Sequence, residues 1–211
     1  MAATRSSAMP MSRRDANKLR TTKTLRDAAF ELFLANGYDA TTADQIAAKA
    51  GVSTRTFFRY FETKDEVIFR GQRFWSESTA DLIRKQPDDL SPMDAMCETL
   101  VVLAKGVSRE QLIRFERIIA TSVALRGRQV MQQVENSGLI AEGLAARQGL
   151  GEPDGECRVM ASLGLMLYQQ AAADLRDGRR NILLEALIRD KFAVLESIYA
   201  TLLHSRQMAR T

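Results

Sequence analysis

The turn Ala50-Gly51-Val52-Ser53 lies between two short stretches with helical signals, and it limits the possible folds more than any other feature of the chain. Thr42 and Gln45 form a capping-box pattern, which predicts the start of the first helix. The glycine of the turn permits the positive φ that reverses the chain, and the serine can cap a second helix over residues 54–60. This spacing predicts a helix-turn-helix.

The second helix of this pair has two chemically different faces. Phe57 and Phe61 lie four residues apart and are expected to face the core, although the neighbouring Phe58 and Tyr60 could be buried as well. Arginine can bind guanine edges, hydroxyls can bind base edges or phosphates, and aromatic rings can contact thymine methyl groups. The other face has the composition of a recognition helix, because it carries Thr54, Arg55, Phe58 and Arg59.

The rest of the chain also favours helices, because it contains only four prolines and few alternating β-branched runs. We expect a first helix from about Lys18 to Gly37 and a last helix from about Asn181 to His204. Further start and stop signals are the capping boxes Thr63–Glu66 and Ser108–Gln111, the pair Ser91-Pro92, and a cap at Asp154 for a helix that reaches Asp177. The sequence therefore predicts an all-α fold of about nine helices.

The charge of the chain is concentrated near its N-terminus. Residues 1–70 contain 12 Lys and Arg against 8 Asp and Glu, whereas residues 71–211 contain 18 of each. A polyanion is therefore the expected partner of the first third, and a neutral partner is expected for the remainder. Residues 1–17 have no helical periodicity and are interpreted as a flexible basic arm, which either contacts DNA or only adds solubility.

Several classes of protein are disfavoured by the composition. No uncharged apolar run is long enough for a transmembrane helix, and the basic N-terminus lacks the apolar core of a secretory signal. Cys97 and Cys157 match no metal spacing and are expected to be reduced thiols of a cytoplasmic protein. His204 is the only histidine, so no nucleophile–base pair or histidine metal cluster can form. We expect neither an enzyme nor a cofactor.

Residues 25–68 read LRDAAFELFLANGYDATTADQIAAKAGVSTRTFFRYFETKDEVI, and this stretch resembles the N-terminal domain of tetracycline-repressor-type (TetR/AcrR) transcriptional regulators. The similarity includes the Gly-Tyr before the paired threonines, the segment IAAKAGVS, and the segment FRYF followed by Lys64. The variant RTFFRYF resembles an actinobacterial branch of the family.

The resemblance implies roles for individual residues. Thr54, Arg55, Thr56 and Phe58 match positions that face bases or nearby backbone, and Thr42, Tyr60 and Lys64 match positions that hold phosphates. A lysine in the first turn of its helix would lie where backbone amides already favour an anion. Phe58 stands where tyrosine is frequent in the family, which puts one phenolic contact in doubt. The candidate DNA-binding residues are Thr42, Ser53, Thr54, Arg55, Thr56, Phe58, Arg59, Tyr60 and Lys64.

The last helix carries two apolar stripes, one through Ile188, Phe192, Leu195, Tyr199 and Leu202 and one through Leu184, Leu187, Val194 and Ile198. A surface helix needs only one stripe for its own core, so the second indicates a partner unless both are buried within one chain. The resemblance implies a homodimer built from the last two long helices. The candidate dimerisation residues are Leu163, Leu167, Phe192, Val194, Leu195, Ile198 and Tyr199.

The middle helices are rich in methionine and other apolar residues, which could line a pocket for a neutral or weakly acidic apolar effector. For any single one of these residues, plain core packing is the favoured interpretation. Arginines in the same region could meet an acidic group of a ligand or simply lie on solvated faces. The candidate effector-binding residues are Trp75, Met96, Leu100, Phe115, Ile119, Val123, Met131 and Met166.

The sequence predicts three parts: an arm over residues 1–17, a helix-turn-helix domain over 18–70, and an effector-binding and dimerisation domain over 71–211. The favoured function is a homodimeric repressor that a small apolar molecule releases from a palindromic double-stranded DNA operator, without membrane association. The alternative is an architectural or division-control DNA-binding factor on the same fold, without a regulatory ligand.

Overall fold

A computed structural model describes residues 12–178 and 182–208 of the chain. Within these residues the secondary structure consists of nine α-helices and no strands, as the sequence predicts. In the described ranges, no helix is both long enough and apolar enough to cross a membrane. The helices are α1 (Arg13–Asn36), α2 (Ala43–Lys49), α3 (Thr54–Tyr60), α4 (Glu66–Arg84), α5 (Pro92–Lys105), α6 (Arg109–Thr121), α7 (Val123–Arg147), α8 (Gly155–Arg176) and α9 (Leu184–Met208).

Several helices start where the sequence predicts, because a side-chain oxygen caps a free backbone amide. Thr42 and Gln45 form the complete capping box at the start of α2. Ser91 caps α5 with Pro92 in the first turn, and Asp154 caps α8 by accepting from the amide of Cys157. Gly37 ends α1 with a φ of 84°, which a side chain would make costly.

The first helix begins earlier than its periodicity predicts. The hydroxyl of Ser12 accepts from the amide of Asp15, and α1 therefore starts at Arg13 rather than near Lys18. Residues 12–17, expected in the arm, belong to this cap and its first two turns, whose side chains are exposed and polar and so carry no apolar signal. The rest of the expected arm, residues 1–11, lies outside the described residues.

The start of α4 also differs from the prediction. The helix begins at Glu66, and the Glu66 carboxylate accepts from the amide of Glu62 instead of completing a box with Thr63. Lys64 therefore lies in the turn before the helix and not in its first turn. The last helix starts at Leu184; its expected start, Asn181, lies outside the described residues.

The chain divides into two compact units, with the boundary between Ile68 and Phe69, inside α4. In unit 1 (up to Ile68), α2 packs against α1 and α3 around a buried apolar core. The largest fully buried side chains of this core include Leu25, Phe33, Ile46, Phe57 and Phe61.

In unit 2 (from Phe69), α8 packs against α5, α6, α7 and α9, so it forms the centre of the helical array. Its core includes Ile83, Met96, Leu100, Ile140, Leu144, Leu187, Ile188 and Phe192. Gly143 of α7 lets that helix approach α4 closely, because a Cβ there would lie 2.7 Å from the Cα of Ala80. Cys97 and Cys157 are free and buried, and burial raises the pKa of the Cys97 thiol to about 11.

Candidate DNA-binding surface

The corner between α2 and α3 has the local geometry of a helix-turn-helix. Gly51 takes a φ of 69°, and the amide of Val52 donates to the carbonyl of Ala47 at 3.0 Å. Ser53 then caps α3, since its hydroxyl accepts from the amide of Thr56 at 3.1 Å. The predicted bounds of α3, residues 54–60, are confirmed.

Packing fixes which face of α3 points outward. Phe57 is fully buried and its ring lies 5.7 Å from that of the buried Phe61, so the predicted core face is confirmed. Phe58 is 52% exposed, and Tyr60 is half-buried beneath the guanidinium of Arg59, which lies 5.3 Å from the phenol ring. The outer face of α3 therefore presents exposed arginine and aromatic groups together.

Not every candidate side chain on this surface is equally free to bind DNA. The hydroxyl of Thr54 donates to the carboxylate of Asp44 in α2, and the hydroxyls of Thr56 and Ser53 bond to each other at 2.9 Å. Arg55 and Arg59 are exposed. The guanidinium groups of α3 are therefore better placed than its hydroxyls to reach a base or phosphate. The Asp44–Thr54 contact has no signature in the sequence, because its partners are ten residues apart on different helices.

The lysine predicted to hold a phosphate is engaged inside unit 1. The ammonium nitrogen of Lys64 donates to the carbonyls of Tyr38 at 2.8 Å, Thr41 at 3.0 Å and Asp39 at 3.5 Å. It also lies 4.1 Å from the centroid of the Tyr38 ring. The turn between α1 and α2 therefore surrounds this ammonium group.

The candidate effector residues of unit 2 do not form a single lining. Met96, Leu100 and Ile119 are buried in the core, and Trp75 and Phe115 are half-buried. Val123, Met131 and Met166 are exposed at 76%, 71% and 40%, so the prediction that they line an interior pocket is not supported. Helical periodicity places residues on a face but does not show whether another helix covers that face.

A different set of residues lines a cavity of unit 2 that has a volume of about 510 Å³. It lies between α6 and the C-terminal end of α8, and three of its lining residues are arginines. None of the eight candidate effector residues lines it. Its lining residues are Arg109, Ile113, Arg117, Leu175, Arg176, Asp177 and Gly178.

Arg176 of this cavity pairs with a buried carboxylate, whose charge also acts on the tyrosine of an aromatic pair. Arg176 contacts the carboxylate of Glu116 at 3.5 Å, and Glu116 is only 8% exposed. Burial raises the pKa of the Glu116 carboxyl, and the charge of Arg176 opposes that shift. Burial also raises the pKa of Tyr168, with a smaller contribution from Glu116, and the Tyr168 ring lies 4.9 Å from that of Trp75. Sequence reasoning missed Glu116, because a buried carboxylate has no periodic signal.

The candidate dimerisation residues separate into buried and exposed groups. Leu167 and Phe192 belong to the core of unit 2, so burial within the chain accounts for them. Leu163 and Leu195 are half-buried. Both predicted stripes of α9 are buried up to Phe192, and from Val194 onward their residues are half-buried or exposed. The exposed apolar side chains of α8 and α9 are Val159, Met166, Val194, Ile198, Tyr199 and Leu202.

The short, polar-faced α3, fixed across a glycine turn against α2, defines unit 1 as a helix-turn-helix module. Residues 25–70 match the family described as bacterial regulatory proteins, tetR family. The match covers the helix-turn-helix of unit 1 and the start of α4.

Curated transcriptional regulators are also similar to parts of this chain. The HTH-type transcriptional regulator TcmR from Streptomyces glaucescens is 32% identical over 146 residues, 65% of this chain and 65% of TcmR. The putative mycofactocin biosynthesis transcriptional regulator MftR from Mycobacterium tuberculosis is 42% identical over 43 residues, 20% of this chain and 22% of MftR. The chain therefore spans less than two thirds of the length of either relative.

Solved structures show the same fold across most of the chain. FadR from Thermus thermophilus, a TetR-family transcriptional repressor in complex with lauroyl-CoA, superposes with a TM-score of 0.55 at 24% identity, over 82% of this chain and 92% of FadR. NalD from Pseudomonas aeruginosa is the secondary repressor of the MexAB-OprM multidrug efflux pump. It superposes with a TM-score of 0.55 at 22% identity, over 83% of this chain and 96% of NalD.

Proposed function

We propose that this protein is a sequence-specific DNA-binding transcriptional regulator that acts as a repressor. Two copies of α3, one from each protomer, enter successive major grooves of a palindromic operator. The match of residues 25–70 to the tetR family supports this proposal, as do the names of TcmR, a transcriptional regulator, and FadR, a transcriptional repressor.

The observation that carries the proposal is the outer face of α3. Arg55 and Arg59 are exposed on a helix whose opposite side is locked in the core by Phe57. A rigid helix that presents two guanidinium groups and a half-exposed aromatic ring, Phe58, can read guanine edges and thymine methyl groups. The positive charge of residues 1–70 supplies the attraction to phosphate that every DNA-binding protein needs.

Selection of bound duplexes from a random-sequence DNA pool tests this function. We expect enrichment of a palindrome whose half-sites are separated by about one helical turn, roughly 34–36 Å, or a multiple of it. A variant with Arg55 and Arg59 both changed to alanine serves as the control and should enrich no sequence. Binding without enrichment by the unmodified protein would instead favour an architectural DNA-binding factor.

The dimer is proposed to form through the exposed apolar side chains of α8 and α9. Val194 and Ile198 lie one turn apart on α9 and are 51% and 53% exposed, beyond the point where the same helix is buried in the core. Exposed apolar residues at helical spacing mark a protein-contact surface. Sedimentation at several protein concentrations tests this, and a species that remains monomeric at all of them would contradict it.

The effector is proposed to be a weakly acidic apolar molecule that binds in the cavity between α6 and α8. Its volume of about 510 Å³ falls in the range of ligand pockets, roughly 300–1,000 Å³. Ile113 and Leu175 offer apolar contacts, and the exposed Arg117 can pair with an acidic group. The complex of FadR with lauroyl-CoA supports an acyl ligand as a first candidate for a protein with this fold.

Titration with a medium-chain fatty acid and with the alcohol of the same chain length tests the effector proposal. The acid should bind more tightly, since only the acid can pair with an arginine. Changing Arg117 to Gln should remove that preference while leaving the alcohol affinity unchanged. Equal binding of both compounds to both proteins would contradict an acidic effector in this cavity.

A further inference from the structure

The net positive charge of the N-terminal third is concentrated in the first half of α1, residues 13–24, which we call the basic half. It contains five Lys and Arg against one Asp. Residues 25–70, which include the whole helix-turn-helix, contain six Lys and Arg against seven Asp and Glu. Binding to DNA draws much of its affinity from cations that neutralise phosphates. The helix-turn-helix by itself has no excess of such cations.

The basic half of α1 is an ordered helix that contributes nothing to the core. None of its side chains is buried, Leu19 is 58% exposed, and Leu25 is the first residue of α1 that belongs to the core. Helices in proteins owe most of their stability to packing, and like charges four residues apart, such as Arg14 and Lys18, repel each other. A helix of this kind gains stability when a polyanion neutralises its charges.

Helical spacing places four of the five cations on one side of α1. Lys18 and Arg14 lie about one and two turns before Thr21. Arg13 lies about two turns before Arg20. All four cations are exposed, and in the part of the chain that the structure describes none of them pairs with a carboxylate.

The side of α1 that carries these four cations borders the turn of the helix-turn-helix. A groove runs between α1 and that turn, and its lining residues are Arg20, Thr21, Thr24, Leu25, Ala50 and Val52. The same turn leads through Ser53, the cap of α3, into the exposed face of that helix. The four cations and the outer face of α3 therefore belong to neighbouring parts of unit 1.

The basic half is long enough to follow a duplex beyond the surface of α3. Its twelve helical residues span about 18 Å. Phosphates of one DNA strand are about 3.4 Å apart along the axis, so a helix of this length can pass roughly five of them. Cations on an ordered helix also lose less conformational entropy on binding than cations on a flexible arm.

We propose that the basic half of α1 is a second DNA-binding element, which binds phosphates of the duplex beside the half-site that α3 contacts. The side chains that bind these phosphates are Arg13, Arg14, Lys18 and Arg20. Such contacts add affinity and fix the position of the protein on the duplex, but they do not read the sequence. This inference rests on the proposed DNA-binding function.

Duplexes of two lengths test the proposal. The duplex selected by the unmodified protein is prepared once trimmed to its two half-sites and once with a further helical turn of arbitrary sequence at each end. The longer duplex should bind the unmodified protein more tightly, whatever the sequence of its ends. A variant with all four cations changed to glutamine should bind both duplexes equally. Equal affinity of the unmodified protein for the two duplexes would overturn the inference.

The variants Lys18→Gln and Lys23→Gln form a matched pair, because both residues are exposed in the basic half and each change removes one charge. Lys23 points away from the side that carries Lys18, since it is two residues from the core residue Leu25 and a helix turns by about 200° over two residues. One lost phosphate contact in each half-site lowers the slope of log affinity against log salt by about 1.8 for the dimer. We expect this change for Lys18→Gln and the unmodified slope for Lys23→Gln. Equal slopes for the two variants would contradict the proposed contact.

Failure of the proposed function and failure of this inference give different results. Without sequence-specific DNA binding, no duplex is selected from the random pool. If only this inference fails, a duplex is selected, but the four glutamines leave its affinity unchanged. Binding to single-stranded RNA is measured in parallel; a variant that loses affinity for RNA and keeps its affinity for the long duplex would assign the basic half to RNA and overturn the inference. Since none of the four side chains is buried, circular dichroism should show a folded variant.

Discussion

At the scale of single residues, the surface of α3 combines groups that are committed within the protein and groups that are open. Thr54 is bound to Asp44, and Thr56 to Ser53, so their hydroxyls help to shape the surface. Arg55 is exposed, whereas the guanidinium of Arg59 lies over the ring of Tyr60. Arg55 is therefore the stronger candidate for reading a base, and Arg59 for a fixed contact with the backbone of DNA.

Changing Arg55 to Ala should weaken operator binding by about 1–3 kcal/mol per half-site and relax the preference at one base position. The physical reason is the loss of a bidentate donor pair that only guanine accepts well. Competition binding with operators altered at each position measures both effects. Lys85→Ala, the same change of charge on an exposed residue of unit 2, is the control. Equal losses on operator and random DNA would show that Arg55 touches only phosphate.

The buried Glu116 should make the stability of the protein depend on pH. Burial raises the pKa of its carboxyl in the folded state above the value in the unfolded chain, against the opposing charge of Arg176. The folded state then binds the proton more tightly, so stability is greatest below the unfolded pKa and falls as pH rises through the folded pKa. We expect Glu116→Gln to remove this decline.

Thermal unfolding of the unmodified protein and of Glu116→Gln, measured from acidic to neutral pH, tests that expectation. Asp177 and Tyr168 also face this region, but only Glu116 is changed in the comparison. Glu142→Gln, on the exposed side of α7, controls for the loss of a carboxylate. A decline of equal steepness in Glu116→Gln and in the unmodified protein would exclude Glu116 as its origin.

At the scale of helices, the sequence is informative where a side chain caps the backbone. Thr42, Ser53, Ser91 and Asp154 each accept from an amide of the helix they precede, and each was predictable from residue type and spacing. The start of α1 at Arg13 was not, because its first turns bury nothing and so lack periodicity. The outer stripes of α9 were ambiguous, since periodicity does not show where a neighbouring helix ends.

The change from buried to exposed apolar residues along α9 provides the element-scale prediction. Val194→Glu should give a folded monomer with much weaker operator binding, because each monomer would read one half-site alone. Phe192→Glu should instead unfold unit 2, because it places an unpaired charge where the side chain is 4% exposed. Sedimentation and circular dichroism separate the two results. A folded dimer in Val194→Glu would place the interface on another surface.

At the scale of the whole molecule, residue chemistry predicted the class of protein, while the location of a ligand site required the three-dimensional structure. Arg109 and Arg117 of α6 line the same cavity as Arg176 only because α6 packs against α8. No spacing rule connects them. Conversely, the methionines that suggested a pocket lie partly in the core and partly on the surface. The helix-turn-helix was predictable because its whole signature fits within residues 42–61.

The last prediction concerns coupling between the effector and the operator. Arg176 of the cavity pairs with Glu116, whose charge acts on Tyr168, and the ring of Tyr168 lies against that of Trp75 in α4. The boundary between the two units lies within α4. Trp75 is the only tryptophan, so its fluorescence should change when an effector disturbs these contacts. An effector that releases DNA must bind the DNA-free state more tightly, and each tenfold loss of operator affinity corresponds to about 1.4 kcal/mol of coupling.

Because coupling is reciprocal, a saturating amount of the selected operator should weaken effector binding by the same factor by which the effector weakens operator binding. Titrating fatty acids, acyl thioesters and hydrophobic drugs while recording Trp75 emission, with and without operator, measures one factor; operator binding with and without the effector measures the other. Glu116→Gln, which removes the carboxylate that pairs with Arg176, should reduce both factors together. An effector that changes the emission but gives equal affinities with and without operator would be a ligand without a regulatory role.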